Sequence, residues 1–249
     1  MKNLITKSDV KYIQSLAHKK FREEEGVFVI EGVKMVGELI DEFPDSIVHL
    51  YATQNWVDEN RQQELASIPL SIIDEIILSK ISQLKSPNQV LAVVKMPMQP
   101  SIEKTSSEII LVLDQIQDPG NLGTIIRTCD WFGIQSIICS LDTVDAYNSK
   151  TVQSAKGSLL RINIQYVDLK VYLSSKKGVP VYAAALEGTS IHKIDVQPPA
   201  ILVIGNEANG ISTDVMAFAT QKVTIPKFGR AESLNAGIAT AIILSNLIK

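Results

Sequence analysis

The chain has 249 residues, 45% of them hydrophobic, which is enough to bury one large core or two smaller ones. Its 27 acidic and 24 basic residues give a net charge of −3, which excludes non-specific attraction of nucleic acid through bulk charge. Any contact with RNA or DNA therefore needs a local basic patch.

The cysteine content and the N-terminal segment further limit the class of protein to which the chain can belong. Cys129 and Cys139 provide neither a metal-ligand spacing nor a disulfide framework, so we expect two reduced thiols that pack as small apolar side chains, and no metal. The N-terminal segment lacks the apolar region of a signal peptide, and no apolar run is long enough to span a bilayer. These features predict a cytoplasmic protein that does not contact membranes.

The N-terminal part alternates between helical and extended patterns. Apolar residues at helical spacing predict helices, the first of them capped by Ser8, and short apolar runs predict strands. The predicted helices span 8–20, 32–43, 56–66 and 75–84, and the predicted strands span 27–30, 47–52, 70–73 and 90–95. This alternation is typical of a small mixed α/β domain, which we place at 1–98.

A linker is predicted at 99–108, because two prolines and a polar run interrupt the pattern there. The apolar run 109–113 then predicts a strand buried on both faces in a parallel sheet. Further strands are predicted at 136–139, 162–166, 179–185, 201–204 and 223–225, and further helices at 121–132, 151–159, 169–176 and 213–220. A last helix runs to Lys249 and is apolar almost all round, which predicts a core or subunit-interface helix.

Three polar loops follow strands of this second α/β domain, where parallel sheets bind ligands. In the first loop, Asn121 is either a helix cap or a functional amide. Arg127 follows two isoleucines, so we expect a buried guanidinium with a phosphate or carboxylate partner, although a solvated arginine is the simpler alternative.

The second loop lies between Gly205 and Gly210. That spacing resembles a phosphate-binding loop, but Ile211 stands where the lysine belongs, and the chain has no G-x-G-x-x-G fingerprint. A nucleotide-binding enzyme is therefore disfavoured. Glu207 is either part of a tight turn or a functional carboxylate. In the third loop, Ser233 precedes the last helix and is expected to cap it.

Together the three loops resemble the SpoU (TrmH-like) branch of the SPOUT RNA methyltransferases. The motifs are N-L-G-x-x-x-R-T at 121–128, I-G-N-E-A-N-G-I at 204–211 and I-P-K-F-G-R-A-E-S-L-N at 225–235. They lie within 109–249, and the N-terminal half is similar to the ribosomal-protein-like RNA-binding domain of many members. Lys227 and Phe228 depart from the family, which more often has methionine and a small or polar residue there.

The resemblance implies an α/β-knot domain at 109–249, with a deep trefoil knot and homodimerisation through this domain. It implies transfer of a methyl group from S-adenosyl-L-methionine to a ribose 2′-hydroxyl of RNA. The cofactor would be held mainly by backbone groups of three loops, which here contain Ala184, Ala185, Leu186, Ile204, Gly205, Asn206, Gly210, Ile225, Pro226, Ser233 and Leu234.

The resemblance also assigns the catalytic positions. Arg127 matches the family's catalytic arginine, and because guanidinium stays protonated we expect it to grip an RNA phosphate rather than act as a base. Asn121 would position Arg127 or the substrate, and Glu207 would orient the reacting groups. Ser233 and Asn235 would order the loop around cofactor and ribose.

The substrate RNA is less defined by the sequence. Lys19, Lys20 and Arg22 belong to a basic N-terminal strip that could bind phosphates together with Arg127, or could be solvated helix charges. A dedicated N-terminal domain favours ribosomal RNA over tRNA. The alternative is a non-catalytic RNA-binding protein that retains the knotted fold.

Overall fold

A computed structural model describes residues 5–59, 65, 67–98 and 108–248. In chain order the first elements are α1 Lys7–Ser15, α2 Lys19–Glu25, β1 Val27–Glu31, α3 Val33–Glu42, β2 Ile47–Ala52, α4 Gln54–Glu59, β3 Leu70–Ile72, α5 Glu75–Ile81 and β4 Val90–Lys95. The later elements are β5 Ile109–Asp114, α6 Pro119–Trp131, β6 Ser136–Ser140, α7 Ser149–Ala155, α8 Ser158–Arg161, β7 Asn163–Val167, α9 Leu169–Ser175, β8 Val181–Ser190, β9 Ala200–Gly205, α10 Thr213–Met216, β10 Gln221–Thr224 and α11 Ala236–Leu247.

The first compact unit comprises Met1–Met98 and Tyr147–Gly157. Its sheet has the order β1-β4-β2-β3, with β4 antiparallel to both neighbours and β2 parallel to β3. The core on one side of this sheet contains Ile13, Leu16, Val29 and Leu91. The unit is thus a mixed α/β structure, as the alternating pattern predicts.

The segment 147–157 groups with this first unit, although the sequence assigned it to 109–249. The ring of Tyr147 packs against Phe28 at 4.9 Å between centroids, and Gln153 Nε2 donates to the Glu31 carbonyl at 3.2 Å. Both partners lie on β1, so α7 is fixed to the edge of the first sheet.

The predicted helix 8–20 is wrong, because the chain forms two helices there. Thr6 rather than Ser8 caps α1, in a capping box with Asp9. The Nη1 atom of Arg22 donates to the carbonyls of Leu16 and Ala17 at 2.7 and 2.8 Å. These two hydrogen bonds satisfy carbonyl groups at the C-terminal end of α1, where the helix stops. Residues 60–64 and 66 of the predicted helix 56–66 lie outside the described part.

The second compact unit comprises Gln99–Ala146 and Ser158–Lys249. Its six strands are all parallel, in the order β10-β8-β9-β5-β6-β7. Every residue of β5 is buried, as the continuous apolar run predicts for a strand covered on both faces. The parallel sheet is therefore confirmed.

Four predicted elements of the C-terminal half need correction. The helix 151–159 is divided at Lys156, whose φ of 58° lies in the left-handed region, into α7 and α8. The strand 179–185 extends to Ser190, and the helix 213–220 shortens to the single turn of α10. The last helix, predicted to run to Lys249, ends at Leu247, and Lys249 itself lies outside the described residues.

Candidate active site

The sheet of the second unit brings the ends of β5 and β9 together at its carboxyl edge. The two strands are parallel neighbours, and their register runs to the last pair, Asp114 opposite Gly205. The loops that follow therefore leave the sheet side by side, while β8 and β10 extend the same edge beyond β9. This edge is where parallel α/β sheets bind ligands.

The loop after β5 ends in a capped helix that directs Asn121 into the site. Asp118 Oδ1 accepts the Asn121 N–H at 2.9 Å, and Pro119 occupies the first helical turn. Asp118 is thus the cap of α6, which rules out the alternative that Asn121 caps the helix. Because its side chain is not used for capping, the Asn121 amide is available to the site.

The loop after β9 is a tight turn closed by Asn206 and Gly210. Their backbone groups bond to each other in both directions at 2.9 Å, and Asn206 Oδ1 accepts the N–H groups of Ala208 and Asn209 at 2.9 and 3.1 Å. A Cβ on Gly205 would lie 2.3 Å from the Gly210 carbonyl carbon, so a side chain cannot be accommodated without moving the backbone. The turn fixes the backbone on both sides of Glu207.

A chain of hydrogen bonds joins the three loops. Asn235 Oδ1 accepts the N–H groups of Gly237 and Ile238 at 3.0 and 3.2 Å, which caps α11 and leaves Nδ2 to donate to Asn121 Oδ1 at 2.7 Å. Asn121 must then present Nδ2 to Glu207, and it donates to Oε1 of that carboxylate. The direction of every bond follows from the helix N-terminus, because backbone N–H groups can only donate.

We call this set the Asn235–Asn121–Glu207 relay. It holds one carboxylate at the carboxyl edge, with its orientation fixed through two amides. Such a carboxylate can accept a hydrogen bond from a substrate hydroxyl and orient it.

The end of β8 departs from regular pairing with β10. Ala183 is opposite Lys222 and Thr189 is opposite Val223, so residues 184–188 lie outside the ladder. A Cβ on Gly188 would lie 2.6 Å from the Lys222 carbonyl oxygen, which shows how closely the two backbones approach. Thr224 Oγ1 donates to the Leu186 carbonyl at 3.0 Å. Ala184 and Ala185 are half-buried in this bulge, and Leu186 is exposed.

Comparison with known proteins identifies this arrangement. The profile of the SpoU rRNA Methylase family matches residues 108–245. The chain belongs to the SpoU rRNA methylase family. The profile of an MRM3-like substrate binding domain matches residues 7–92.

Two relatives match the chain along nearly its whole length, and a third matches a little more than half of it. The 23S rRNA (guanosine(2553)-2′-O)-methyltransferase RlmP of Bacillus subtilis is 32% identical over 96% of this chain and 95% of its own. An rRNA methyltransferase from Sinorhizobium meliloti, solved with bound AdoMet, is 31% identical with a TM-score of 0.85 over 99% of this chain and 95% of its own. The tRNA (guanosine(18)-2′-O)-methyltransferase of Aquifex aeolicus is 30% identical over 57% of this chain and 70% of its own.

Arg127 lies outside the relay. It is exposed on α6, six residues after Asn121, which corresponds to about 9 Å along the axis and about 240° around it. In the described part of the chain it makes neither an ion pair nor a hydrogen bond. The expectation of a buried guanidinium is therefore wrong, since the exposed face of α6 carries it to solvent.

Ser233 is not the cap of the last helix. The helix begins at Ala236, and Asn235 occupies the capping position two residues later than predicted. Ser233 and Leu234 are exposed, and Ile225 and Pro226 are half-buried. All four lie in a segment, residues 225–235, that contains neither helix nor strand.

The N-terminal residues predicted to bind RNA divide into two groups. Arg22 is buried, and its guanidinium is engaged by the carbonyls that end α1, so its assignment to an RNA surface needs correction. Lys19 and Lys20 are exposed and pair with Glu23 and Glu24 at 3.6 and 3.7 Å. These surface pairs contribute little to stability.

Two residues of the site were missed from the sequence. Asp114 is buried at the end of β5, where its Oδ2 accepts the Ser212 N–H at 2.7 Å. Gln115, with φ of 60°, presents its carbonyl to Asn206 Nδ2 at 2.9 Å. The sequence did contain a signal for Asp114, because a carboxylate directly after an apolar strand is unusual. It contained no signal for Gln115, whose role depends on its left-handed backbone conformation.

The described residues contain no cluster of histidine, cysteine or carboxylate side chains suited to a metal ion. Both cysteines are buried and free, and burial raises the pKa of each thiol, which keeps them protonated at neutral pH. In the same residues, no helix combines the length and the apolar character that a bilayer crossing requires.

Proposed function

We propose that this protein transfers a methyl group from S-adenosyl-L-methionine to a ribose 2′-hydroxyl of ribosomal RNA. The observation that carries the proposal is the Asn235–Asn121–Glu207 relay at the carboxyl edge of a SpoU-type sheet. The relay joins the three sequence motifs of the family. The second motif supplies the Glu207 carboxylate, and asparagines of the first and third motifs hold it in place.

The carboxyl edge offers backbone groups suited to the cofactor. Residues 184–188 lie outside the β8–β10 ladder, and residues 225–235 lie outside any helix or strand. Their N–H and carbonyl groups, together with the turn at Gly205 to Gly210, would hold an adenosine and a methionine moiety. When bound, the sulfonium supplies an activated methyl group and leaves as a neutral thioether.

The chain's own residues would align the attacking oxygen and help to remove its proton. Glu207 would accept a hydrogen bond from the ribose hydroxyl, and the relay would keep that carboxylate in place. Arg127 would bind an RNA phosphate through its planar fork, which fixes the ribose relative to the methyl group. The 2′-oxygen would form the new bond to the methyl carbon as the bond between that carbon and sulfur breaks. Its proton would leave along the hydrogen bond to Glu207 and pass on to the phosphate or to water.

Ribosomal RNA is favoured over tRNA by the extent of the similarity. The Bacillus enzyme named for 23S rRNA aligns with 96% of the chain, whereas the Aquifex enzyme named for tRNA aligns with 57%. The substrate binding profile at 7–92 supports an RNA-binding role for the first unit. We assign 1–98 to RNA binding, 99–108 to a linker and 109–249 to methyl transfer, with Lys19 and Lys20 as the remaining N-terminal phosphate contacts.

The proposal includes the trefoil knot, a homodimer and a cytoplasmic location. After edge strand β10 the chain returns to α6, where Asn235 bonds to Asn121, so it passes the loops of β8 and β9 on the way. This passage supports a knot. The exposed Ile238 on the apolar helix α11 supports a subunit contact, which light scattering of the purified protein would test.

The proposed activity is tested by incubating the protein with methyl-labelled S-adenosylmethionine and total RNA. We expect label in ribosomal RNA, on a nucleotide whose 2′-O-methyl group makes the adjacent linkage resistant to alkali. Label on a base or on protein would overturn the assignment. Calorimetric titration with S-adenosylmethionine tests the rival, because a non-catalytic RNA-binding protein would give no binding heat.

A further inference from the structure

The segment 225–235 carries an exposed aromatic ring between two cations. Phe228 is 97% exposed, the largest exposed fraction of any aromatic residue in the described ranges. Lys227 and Arg230 are also exposed, and neither forms an ion pair or hydrogen bond with a described residue. A single exposed phenylalanine needs no explanation, but a ring flanked by two unengaged cations in an acidic protein does.

Both ends of this segment are tied to the active site. At its start, Thr224 Oγ1 donates to the carbonyl of Leu186 in the β8 bulge at 3.0 Å. At its end, Asn235 Nδ2 donates to Asn121 Oδ1 at 2.7 Å. Residues 225–234 therefore form a loop that starts at one wall of the site and returns to the relay, and Phe228 cannot move far from it.

We propose that Lys227, Phe228 and Arg230 bind unpaired RNA beside the nucleotide that is methylated. The proposal rests on the proposed function and names the form of RNA that the site takes. Phe228 stacks on one base, and the two cations contact the phosphates on either side of it. Single-stranded segments are recognised in this way, by aromatic stacking within a positively charged surface.

Two observations favour RNA over the other occupants of such a loop. The net charge of −3 makes local basic residues necessary for phosphate binding, and this loop provides Lys227 and Arg230 against one exposed carboxylate, Glu232. The charges flank the ring in sequence, as successive phosphates flank a base.

Stacking by Phe228 is tested by measuring RNA binding through fluorescence anisotropy. The ligands are a labelled single-stranded RNA of mixed sequence, about 12 nucleotides long, and the RNA duplex of the same sequence. Phe228→Ala is expected to weaken single-strand binding about 5- to 150-fold, the range for loss of one base–aromatic stack. Phe228→Trp should restore it, whereas Phe228→Leu, which is apolar but not aromatic, should not. Val171→Ala, another exposed apolar position in the same unit, is the matched control.

The phosphate part is tested by the salt dependence of the same binding. Lys227→Ala and Arg230→Ala are each expected to reduce the slope of log affinity against log salt by about 0.7, the value for one phosphate on a single strand. Phe228→Ala should lower the affinity and leave the slope unchanged. Lys177→Ala, an exposed lysine away from the loop, should change neither.

Three results would overturn the proposal: equal binding by Phe228→Ala and wild type, a weaker S-adenosylmethionine affinity with unchanged RNA binding, or a changed oligomeric state. The second would make the ring a cover for the cofactor, and the third would make it a subunit contact. Failure of the methyl-transfer proposal is separate, because it is measured by the modified nucleotide that the wild-type protein produces. Loss of single-strand binding in Phe228→Ala with no methylation by wild type would retain the contact and reject the activity.

Discussion

Asn235 has two roles that one substitution, Asn235→Asp, is expected to separate. Its Oδ1 accepts two backbone N–H groups and caps α11, and its Nδ2 donates to Asn121 Oδ1 at 2.7 Å. Aspartate caps a helix about as well as asparagine, but it has no N–H group to donate. The variant keeps the cap and loses the bond that fixes the Asn121 amide.

The expected magnitudes differ for stability and for activity. The free energy of unfolding should change by less than about 0.5 kcal/mol, because the two capping residues are nearly equivalent. At the site, a carboxylate oxygen would face the Asn121 carbonyl oxygen, so the amide should turn its Nδ2 away from Glu207. The turned Asn121 amide regains a partner in the new carboxylate, so the loss falls on the orientation of Glu207 and not on stability. A misplacement of about 1 Å at a reacting site can cost about 100-fold in rate, so kcat/KM should fall by about 10- to 100-fold.

The assay combines steady-state methyl transfer with urea denaturation of the same protein samples. Asn148→Asp is the control, because Asn148 caps α7 by accepting the Lys150 N–H at 3.0 Å and lies in the first unit. It should change neither quantity appreciably. Wild-type kcat/KM in Asn235→Asp would refute the relay, and a fall in activity matched by a fall in stability would reduce Asn235 to a structural cap.

Three further substitutions test other parts of the argument. Arg127→Lys keeps the charge but loses the planar pair of N–H donors of the guanidinium. We expect kcat to fall about 10- to 100-fold, the range for a charge-assisted hydrogen bond, with unchanged cofactor affinity. Near-normal turnover would contradict this role. Arg22→Ala leaves the carbonyls of Leu16 and Ala17 without this donor and should lower the free energy of unfolding by about 1–3 kcal/mol. The salt dependence of RNA binding should not change, and a reduced salt slope would show that Arg22 contacts RNA. Burial raises the pKa of Glu31 above 4.5, although hydrogen bonds from Ser82 and Gln83 oppose this, so the folded state holds that proton more tightly than the unfolded state. The free energy of unfolding of wild type relative to Glu31→Gln should therefore fall as the pH rises through that pKa, and a flat difference in urea titrations would contradict it.

Local patterns were sufficient for much of the fold. The predicted strands 47–52 and 90–95 have the bounds of β2 and β4, because their apolar residues bury directly in the sheet. The unbroken run 109–113 indicated a two-sided strand for the same reason. Helix starts were less predictable, since several polar residues stand near each start and each can cap. Asp118 and Asn235 are the caps, whereas the sequence pointed to Ser233 as one cap and left Asn121 open as the other.

The site was predictable to the level of its motifs and no further. The sequence indicated Asn121, Glu207 and Asn235, but the order of the relay depends on which amide faces a helix N-terminus. The exposure of Arg127 and the burial of Arg22 also depend on tertiary packing. Both arginines stand beside apolar residues in the sequence, so composition alone could not distinguish them.

The geometry of the relay depends on how closely α11 approaches α6. Asn121 stands on α6 and Asn235 caps α11, and between them a Cβ on Gly237 would lie 3.0 Å from Thr124 Cγ2 and 3.3 Å from Asn235 Oδ1. Gly237→Ala should therefore move the two helices apart by a few tenths of an ångström and stretch the bond of 2.7 Å between the asparagines.

Stability should not reveal this change, because alanine gains about 1 kcal/mol of helix propensity over glycine and offsets the crowding. Gly37→Ala in α3 is the matched control, since nothing lies within 4 Å of its Cβ, and it should gain stability at full activity. We expect Gly237→Ala to lose kcat/KM at nearly unchanged stability. Wild-type kcat/KM in that variant would mean that the spacing of the two helices does not set the orientation of Glu207.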